Sequence, residues 1–131
     1  MKLYTVEEAA AALATVVPIV TELRDAFVRL RSLQATIQAD SRGASADGHL
    51  LADAFAESSG DNEIETLNRL VRQAALRLER LGIEVKDPER GLIDFLHERE
   101  GRTVYLCYVL GEPEIGFWHE IHAGFAGRKP L

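Results

Sequence analysis

Residues 82–128 of the chain read GIEVKDPERGLIDFLHEREGRTVYLCYVLGEPEIGFWHEIHAGFAGR. Short apolar and β-branched runs in this stretch are separated by turn-forming residues such as Asp87-Pro88, Glu100-Gly101 and Gly111-Glu112-Pro113. Such runs are typical of antiparallel strands joined by hairpins. We therefore predict a three- or four-stranded antiparallel β-meander and a C-terminal loop over residues 82–131.

The preceding residues, 1–81, have a helical period instead. Thr5 and Glu8 form a capping-box pattern, which predicts that a helix starts there. Two seams follow in which apolar residues are alternately three and four positions apart, and Gly82 is a typical C-cap for the second. The first seam is Ile19, Leu23, Ala26, Leu30, Leu33 and Ile37, and the second is Ile64, Leu67, Val71, Ala74, Leu78 and Leu81.

Two seams of similar length predict a long antiparallel helical hairpin with a loop at residues 41–61, in which we expect at most a short helical turn at residues 49–56. Pro18 lacks a backbone N–H, so we expect it to kink or break the first helix. The whole chain, residues 1–131, is predicted to be a single α+β domain in which the hairpin packs on the meander. The apolar stripe is wider than a two-helix seam, so we expect either a homodimer through the hairpin or packing on the protein's own sheet.

Composition excludes several classes of protein. The chain has 131 residues and a single cysteine, which cannot form an internal disulfide and suits a reducing cytoplasm. Its apolar stretches are shorter than the ~20 residues of a membrane span, and no signal peptide is recognisable. The net charge is -6, and all of the excess lies in residues 1–66. We therefore expect a cytoplasmic protein with no membrane or nucleic-acid partner.

Chemically active side chains are concentrated in the predicted meander. If His97 pairs with Arg102 and Leu110 with Ile115, the side chains divide into two sets on opposite faces of the sheet, and a slip of one residue would regroup them. In either register the meander brings its polar side chains within reach of one another, and we expect a polar pocket on it. The first set is Asp94, Tyr105, Cys107, Trp118 and Glu120; the second is His97, Leu106, Tyr108, Phe117 and His119, beside Ile93 and Phe95.

The same stretch closely resembles the bacterial domain-of-unknown-function family 2203. The resemblance is specific over residues 82–128 and looser over residues 5–128, and Leu96 and Tyr108 replace a proline and a tryptophan that are common in the family. It implies a helical front followed by a similar tail, and no reaction. The positions that match are Gly91, Leu92, Asp94, Phe95, Leu106, Cys107, Gly111, Glu112, Trp118, His119, Gly127 and Arg128.

A metal site is one functional hypothesis. His119, Glu120 and His122, with Cys107 or Asp94 nearby, offer the imidazole, carboxylate and thiolate groups that suit zinc or another late transition metal. Residues three apart face opposite sides of a strand, however, and the H-E-x-x-H motif is absent. The alternative is that His119 packs beside Trp118 and hydrogen-bonds a backbone carbonyl while His122 is solvated.

Catalysis is a second hypothesis, with Cys107 as nucleophile, His119 as base and Asp94 or Glu120 as the orienting acid. Cys107 lies among apolar residues in mid-strand, where the pKa of a thiol rises, so a buried core cysteine is favoured over a nucleophile. Asp94 lies between two apolar residues. It is either a desolvated functional carboxylate or the partner of Arg102, Arg128 or the Tyr105 hydroxyl.

A binding module is the third hypothesis, and the one we favour. The Arg128 guanidinium and the nearby backbone could hold an anion or a partner's carboxylate, or Arg128 could pair with Asp94 or Glu112. We predict a small ligand-binding or interaction domain, with a zinc-like metal-binding protein or metal-dependent enzyme as the alternative. The expected ligand-binding residues are Asp94, Tyr105, Cys107, Glu112, Trp118, His119, Glu120 and Arg128; the expected ligands of a divalent transition metal are His119, His122, Glu120 and Cys107.

Overall fold

The computed structural model describes residues 2–43 and 50–131, with side chains for residues 2–39 and 62–131. It has the predicted α+β architecture, in which two long helices precede a small antiparallel sheet of strand order β1-β2-β3-β4-β5. No helix in these ranges is long and apolar enough to cross a lipid bilayer. The elements are α1 (Val6–Gly43), α2 (Leu50–Arg80), β1 (Ile83–Asp87), β2 (Leu92–Arg99), β3 (Arg102–Val109), β4 (Phe117–His119), a 3₁₀ turn (Phe125–Gly127) and β5 (Lys129–Pro130).

Helix α1 begins at the predicted capping box. The Thr5 N–H donates to Glu8 Oε1 and the Glu8 N–H donates to Thr5 Oγ1, both at 3.0 Å. The helix continues through Pro18, so the predicted alternative of a break is wrong. A proline inside a helix costs about 3 kcal/mol, but the neighbouring Val16 and Ile19 are buried, and each such side chain contributes about 1.5–3 kcal/mol.

The two helices run antiparallel. The Tyr4 hydroxyl donates to the Leu81 carbonyl, whereas Arg29 Nε lies 3.0 Å from Glu63 Oε1 farther along the pair. Both helices extend into the predicted loop at residues 41–61, because α1 ends at Gly43 and α2 begins at Leu50. Residues 50–57, LLADAFAE, are mostly good helix formers, which explains this correction. The rest of the predicted loop, residues 44–49, lies outside the described residues.

One face of the sheet, which we call the inner face, packs on the helices. Its apolar side chains and those of the helices form one buried core, to which Tyr4 contributes from the N-terminal segment. The hydrophobic contribution of this core holds the sheet against the helices. The core members from the sheet are Ile83, Ile93, Phe95, Val104, Leu106, Tyr108 and Trp118, and those from the helices are Ala9, Val16, Ile19, Val20, Leu23, Ala74 and Leu78.

The pairing of β2 with β3 differs from the predicted one by two residues. Arg99, rather than His97, is opposite Arg102, because Glu100 and Gly101 form a two-residue turn in which both φ angles are positive, 52° and 80°. A shift of two residues preserves the faces. Asp94 therefore remains on the same side as Cys107, and the two lie directly opposite each other.

The pairing of β3 with β4 differs by one residue, and this exchanges the faces. Cys107 is opposite Phe117 and Tyr105 is opposite His119, whereas the predicted register placed Trp118 opposite Cys107. The connection between the strands is longer than predicted, because β3 ends at Val109 and β4 begins only at Phe117. His119 therefore joins Asp94 on the outer face, the side of the sheet turned away from the helices.

The C-terminal residues add a fifth strand to the three or four predicted. Lys129 and Pro130 pair with Trp118 and Phe117, and the Leu131 N–H donates to the Gly116 carbonyl at 3.0 Å. The segment predicted as a loop thus returns to the sheet and protects the edge of β4.

Candidate functional site

Three chemically active side chains meet on the outer face, and we call Asp94, Cys107 and His119 the cluster. They come from β2, β3 and β4, where the register brings them side by side. One ligand atom from each, a carboxylate oxygen, the thiol sulfur and an imidazole nitrogen, lies within 4.8 Å of the other two. Their exposed fractions are 1%, 1% and 2%. The cluster is therefore closed off from solvent.

Hydrogen bonds determine which nitrogen of His119 faces the cluster. His119 Nδ1 lies 2.8 Å from the carbonyl oxygen of Glu120, which can only accept, so Nδ1 carries a proton and donates it. His119 Nε2 lies 3.1 and 3.0 Å from the two carboxylate oxygens of Asp94. Either a shared proton or a cation between Nε2 and the carboxylate satisfies both groups.

Burial changes the acidity of the other two members. It raises the pKa of the Asp94 carboxyl, and the neighbouring charge of His119 opposes this effect. Burial also raises the pKa of the Cys107 thiol to about 12, helped by the negative charge of Asp94. At neutral pH the cysteine is therefore a thiol in the metal-free protein, not a free thiolate nucleophile.

One side of the cluster is bordered by Glu84, Lys86 and Tyr105. Glu84 is opposite Asp94 in the sheet, and Lys86 Nζ lies 3.0 Å from Glu84 Oε1. Lys86 Nζ also lies 4.6 Å from the centre of the Tyr105 ring, which is 5.4 Å from the His119 ring. A half-exposed ion pair and an aromatic ring thus separate this side from solvent.

The other side is bordered by Arg128 and its partners. Arg128 donates to both carboxylate oxygens of Glu112, at 2.8 and 2.7 Å, which is one of the two pairings predicted for it. Glu112 Oε1 also accepts the Val109 N–H at 2.7 Å. The Arg128 guanidinium carbon lies 3.9 Å from the Phe117 ring centre and 4.8 Å from that of Phe125. These contacts hold the C-terminal segment over the outer face.

The remaining predicted site residues lie elsewhere. Trp118 is on the inner face, where Arg99, 4.5 Å from the ring centre, and Lys129, 5.0 Å from it, stack on the indole. The Glu120 side chain pairs with Arg102, whose hydrogen bond lowers the pKa of that carboxyl, so it is not available to the cluster. His122 is exposed and is not part of the cluster.

Two grooves among the described residues lie away from the cluster. One, of about 380 Å³, lies beside the N-terminal segment and the start of α1, and the other, of about 260 Å³, lies between α1 and α2. Neither groove contains a residue of the predicted polar pocket on the meander. Their linings are Lys2, Tyr4, Glu8, Ala11, Ala12, Thr15, Val16 and Leu81, and Glu22, Gln73, Ala74, Leu76, Arg77 and Arg80, respectively.

Sequence reasoning did not single out two neighbours of the cluster, Glu84 and Lys86, and it placed Phe117 on the face opposite Cys107. A signal for the first two is present, because Ile83 and Val85 alternate with them in β1, and the apolar pair must face the core. The position of Phe117 depends on the β3–β4 register, which no local pattern reveals.

One of three comparisons with known proteins supports the family resemblance of the chain. No curated protein and no solved structure matches the chain. The family model described as "Uncharacterized conserved protein (DUF2203)" matches residues 2–131, nearly the whole chain. The protein therefore belongs to the DUF2203 family.

Proposed function

We propose that this protein binds a divalent transition metal of the zinc type through Asp94, Cys107 and His119. The observation that supports this most directly is the proximity of three different ligand atoms, all within 4.8 Å, in residues that are at least 98% buried. Buried polar groups normally occur with a partner, and a thiol beside a carboxylate and an imidazole is a ligand set that zinc accepts.

The orientation of His119 supports a metal ligand. Imidazole ligands usually donate their second N–H to a carbonyl or carboxylate, which holds the ring in place, and Nδ1 does this with the Glu120 carbonyl. Ligand atoms about 2.0 Å from a tetrahedral zinc lie about 3.3 Å apart. The distances of 3.0 and 3.1 Å from Nε2 to Asp94 are close to that value.

The charge balance also favours a divalent ion. With a metal bound, Asp94 and Cys107 would each contribute one negative charge and His119 none. A dication makes the total zero, which avoids an uncompensated charge in a closed site. A monovalent ion would leave a negative charge there.

The geometry offers less support for cysteine catalysis. In a nucleophile–base–acid relay, one ring nitrogen faces the nucleophile and the other faces the orienting acid. Here Nδ1 of His119 donates to the Glu120 carbonyl and Nε2 faces Asp94, so neither ring nitrogen is paired with Cys107. A cysteine that serves as a metal ligand must stay reduced, which agrees with a cytoplasmic location, and we propose that location as well.

The test is metal content and cobalt binding of untagged protein. We expect about one equivalent of bound metal per chain after purification, or about one equivalent of Co²⁺ taken up by the apo form with a sulfur-to-cobalt charge-transfer band. The band is the specific readout, because it reports the bond to Cys107.

Two variants and one matched control define the ligands. Cys107→Ala should abolish the charge-transfer band, and His119→Gln should weaken Co²⁺ binding at least 10-fold. His122→Gln removes an exposed histidine only three residues away and should bind Co²⁺ like the original protein. Wild-type protein that takes up less than about a tenth of an equivalent and gives no band would exclude the metal site.

A further inference from the structure

Arg128 has a buried donor that no described residue uses. Its Nη2 donates to Glu112, but Nε is inaccessible to solvent and lacks a hydrogen-bond partner within the part of the chain that the structure describes. Buried N–H groups are nearly always paired, and a guanidinium N–H is a strong, charged donor. A ligand that accepts from Nε would therefore complete the arrangement.

Arg128 also lies next to the cluster. Its guanidinium stacks at 3.9 Å on the ring of Phe117, the residue directly opposite Cys107 on the same face of the sheet. Side chains opposite each other in an antiparallel pair are neighbours, with Cβ atoms about 4.5–5.5 Å apart. The unused donor is therefore within the span of a small ligand that also reaches Cys107 and its neighbours.

The positive end of the Arg128–Glu112 pair stacks on Phe117, the residue opposite Cys107. The Glu112 carboxylate is held by its bond with the Val109 N–H. An anion that accepts from Arg128 Nε would be attracted by the guanidinium charge.

We propose that Arg128 and the metal together bind a small carboxylate-type anion, with one oxygen on the metal and the other accepting from Arg128 Nε. This rests on the metal site proposed above, whose three protein ligands leave the fourth position of a tetrahedral ion for another ligand. The anion has two oxygens, so it can satisfy both partners at once. It must be small, of the size of formate, because the Arg128 side chain is only 13% exposed.

The test is a titration of the Co²⁺-loaded protein with sodium formate at constant ionic strength. We expect a saturable change in the visible cobalt spectrum, and Arg128→Lys should weaken formate binding by about 10- to 100-fold, because lysine keeps the charge but lacks the Nε–H. Arg90→Lys is the matched control. Arg90 stacks on the other aromatic partner of Arg128, Phe125, at 4.3 Å, and its replacement should leave formate binding unchanged.

A second variant covers the case in which Arg128→Lys does not fold. Glu112→Gln leaves Arg128 in place without its counter-charge, and should bind formate at least as tightly as the original protein. Equal formate affinity in the original and Arg128→Lys proteins, or weaker binding in Glu112→Gln, would overturn the proposal. Co²⁺ binding with no response to formate would overturn only the anion site, whereas failure to bind Co²⁺ would overturn both proposals.

Discussion

At the scale of single residues, Cys107 combines deep burial with a raised thiol pKa. It lies 99% buried beside Asp94, and both the burial and the nearby carboxylate disfavour its thiolate. A bound cation would reverse that preference, since a metal ligand must be deprotonated. The same residue is thus an inert thiol in the apo protein and the proposed soft ligand of the metal-bound one.

The apo protein should lose stability in alkali because of Cys107. The folded-state pKa of its thiol is raised from 9.0 to about 12, so the folded state holds the proton more tightly than the unfolded chain. This contribution is fully present below about pH 9 and decreases by up to about 1.4 kcal/mol per pH unit as the pH rises towards 12. Urea unfolding of apo protein from about pH 8 to about pH 11 measures it.

The comparison for this prediction is Cys107→Ala, which removes the titrating group. Its free energy of unfolding should be lower near neutral pH, because a buried side chain is lost, but should decline less steeply above about pH 9. Parallel pH profiles of the two proteins would show that the thiol ionises alike in the folded and unfolded states.

At the scale of elements, the β2–β3 hairpin is what holds Asp94 against Cys107. The strands pair over their full length, from Leu92 opposite Val109 to Arg99 opposite Arg102. The turn leaves only Glu100 and Gly101 unpaired, and Glu100 is the single described non-glycine residue with a positive φ. A left-handed conformation is strained for a residue with a Cβ atom, so Glu100 makes the turn less stable than a better suited residue would.

Glu100→Asn should therefore stabilise the protein. Asn-Gly is a preferred pair for this kind of two-residue hairpin turn, because asparagine tolerates positive φ better than glutamate does. We expect a gain of about 0.5–1 kcal/mol in the free energy of unfolding, measured by urea titration. Glu98→Asn is the control, since Glu98 lies in β2 and asparagine is unfavourable in strands. An equal or larger gain in the control would show that the turn is not the cause.

At the scale of the whole molecule, the sheet covers only part of the helical pair. The seam residues near the sheet, such as Leu23 and Leu78, are fully buried, whereas Leu33 and Leu67 are half-buried and Ile37 is exposed. Val28 and Leu76 are also exposed, at 44% and 45%. Apolar surface of this kind is often covered in an assembly.

The homodimer through the hairpin therefore stays a prediction. Sedimentation equilibrium at micromolar concentrations should give about twice the 14.5 kDa chain mass. Val28→Glu and Leu76→Glu should shift the protein towards monomer, since each would place a charge in the interface, with Glu98→Gln, an exposed residue of β2, as the control. A chain that stays monomeric at the highest soluble concentration would contradict the prediction.

Much of the architecture is determined by local sequence. The capping box at Thr5, the helical seams and the turn residues of the tail each encode an element within a few positions, so the α+β class follows from them. The same holds for Asp94 and Cys107. They fall on one face in both the predicted and the observed register, because the two differ by an even number of residues.

Only the tertiary structure decided that His119 lies on the same face of the sheet as Asp94 and Cys107. The β3–β4 connection contains Gly111, Pro113 and Gly116. The observed register differs from the predicted one by a single residue, because Phe117 rather than Trp118 is opposite Cys107. Because side chains alternate with a period of two, that single residue moves His119 to the outer face and Trp118 into the core. In the observed register the indole belongs to the core that the sheet and the helices form together, and contacts between segments distant in the chain are contained in no local pattern.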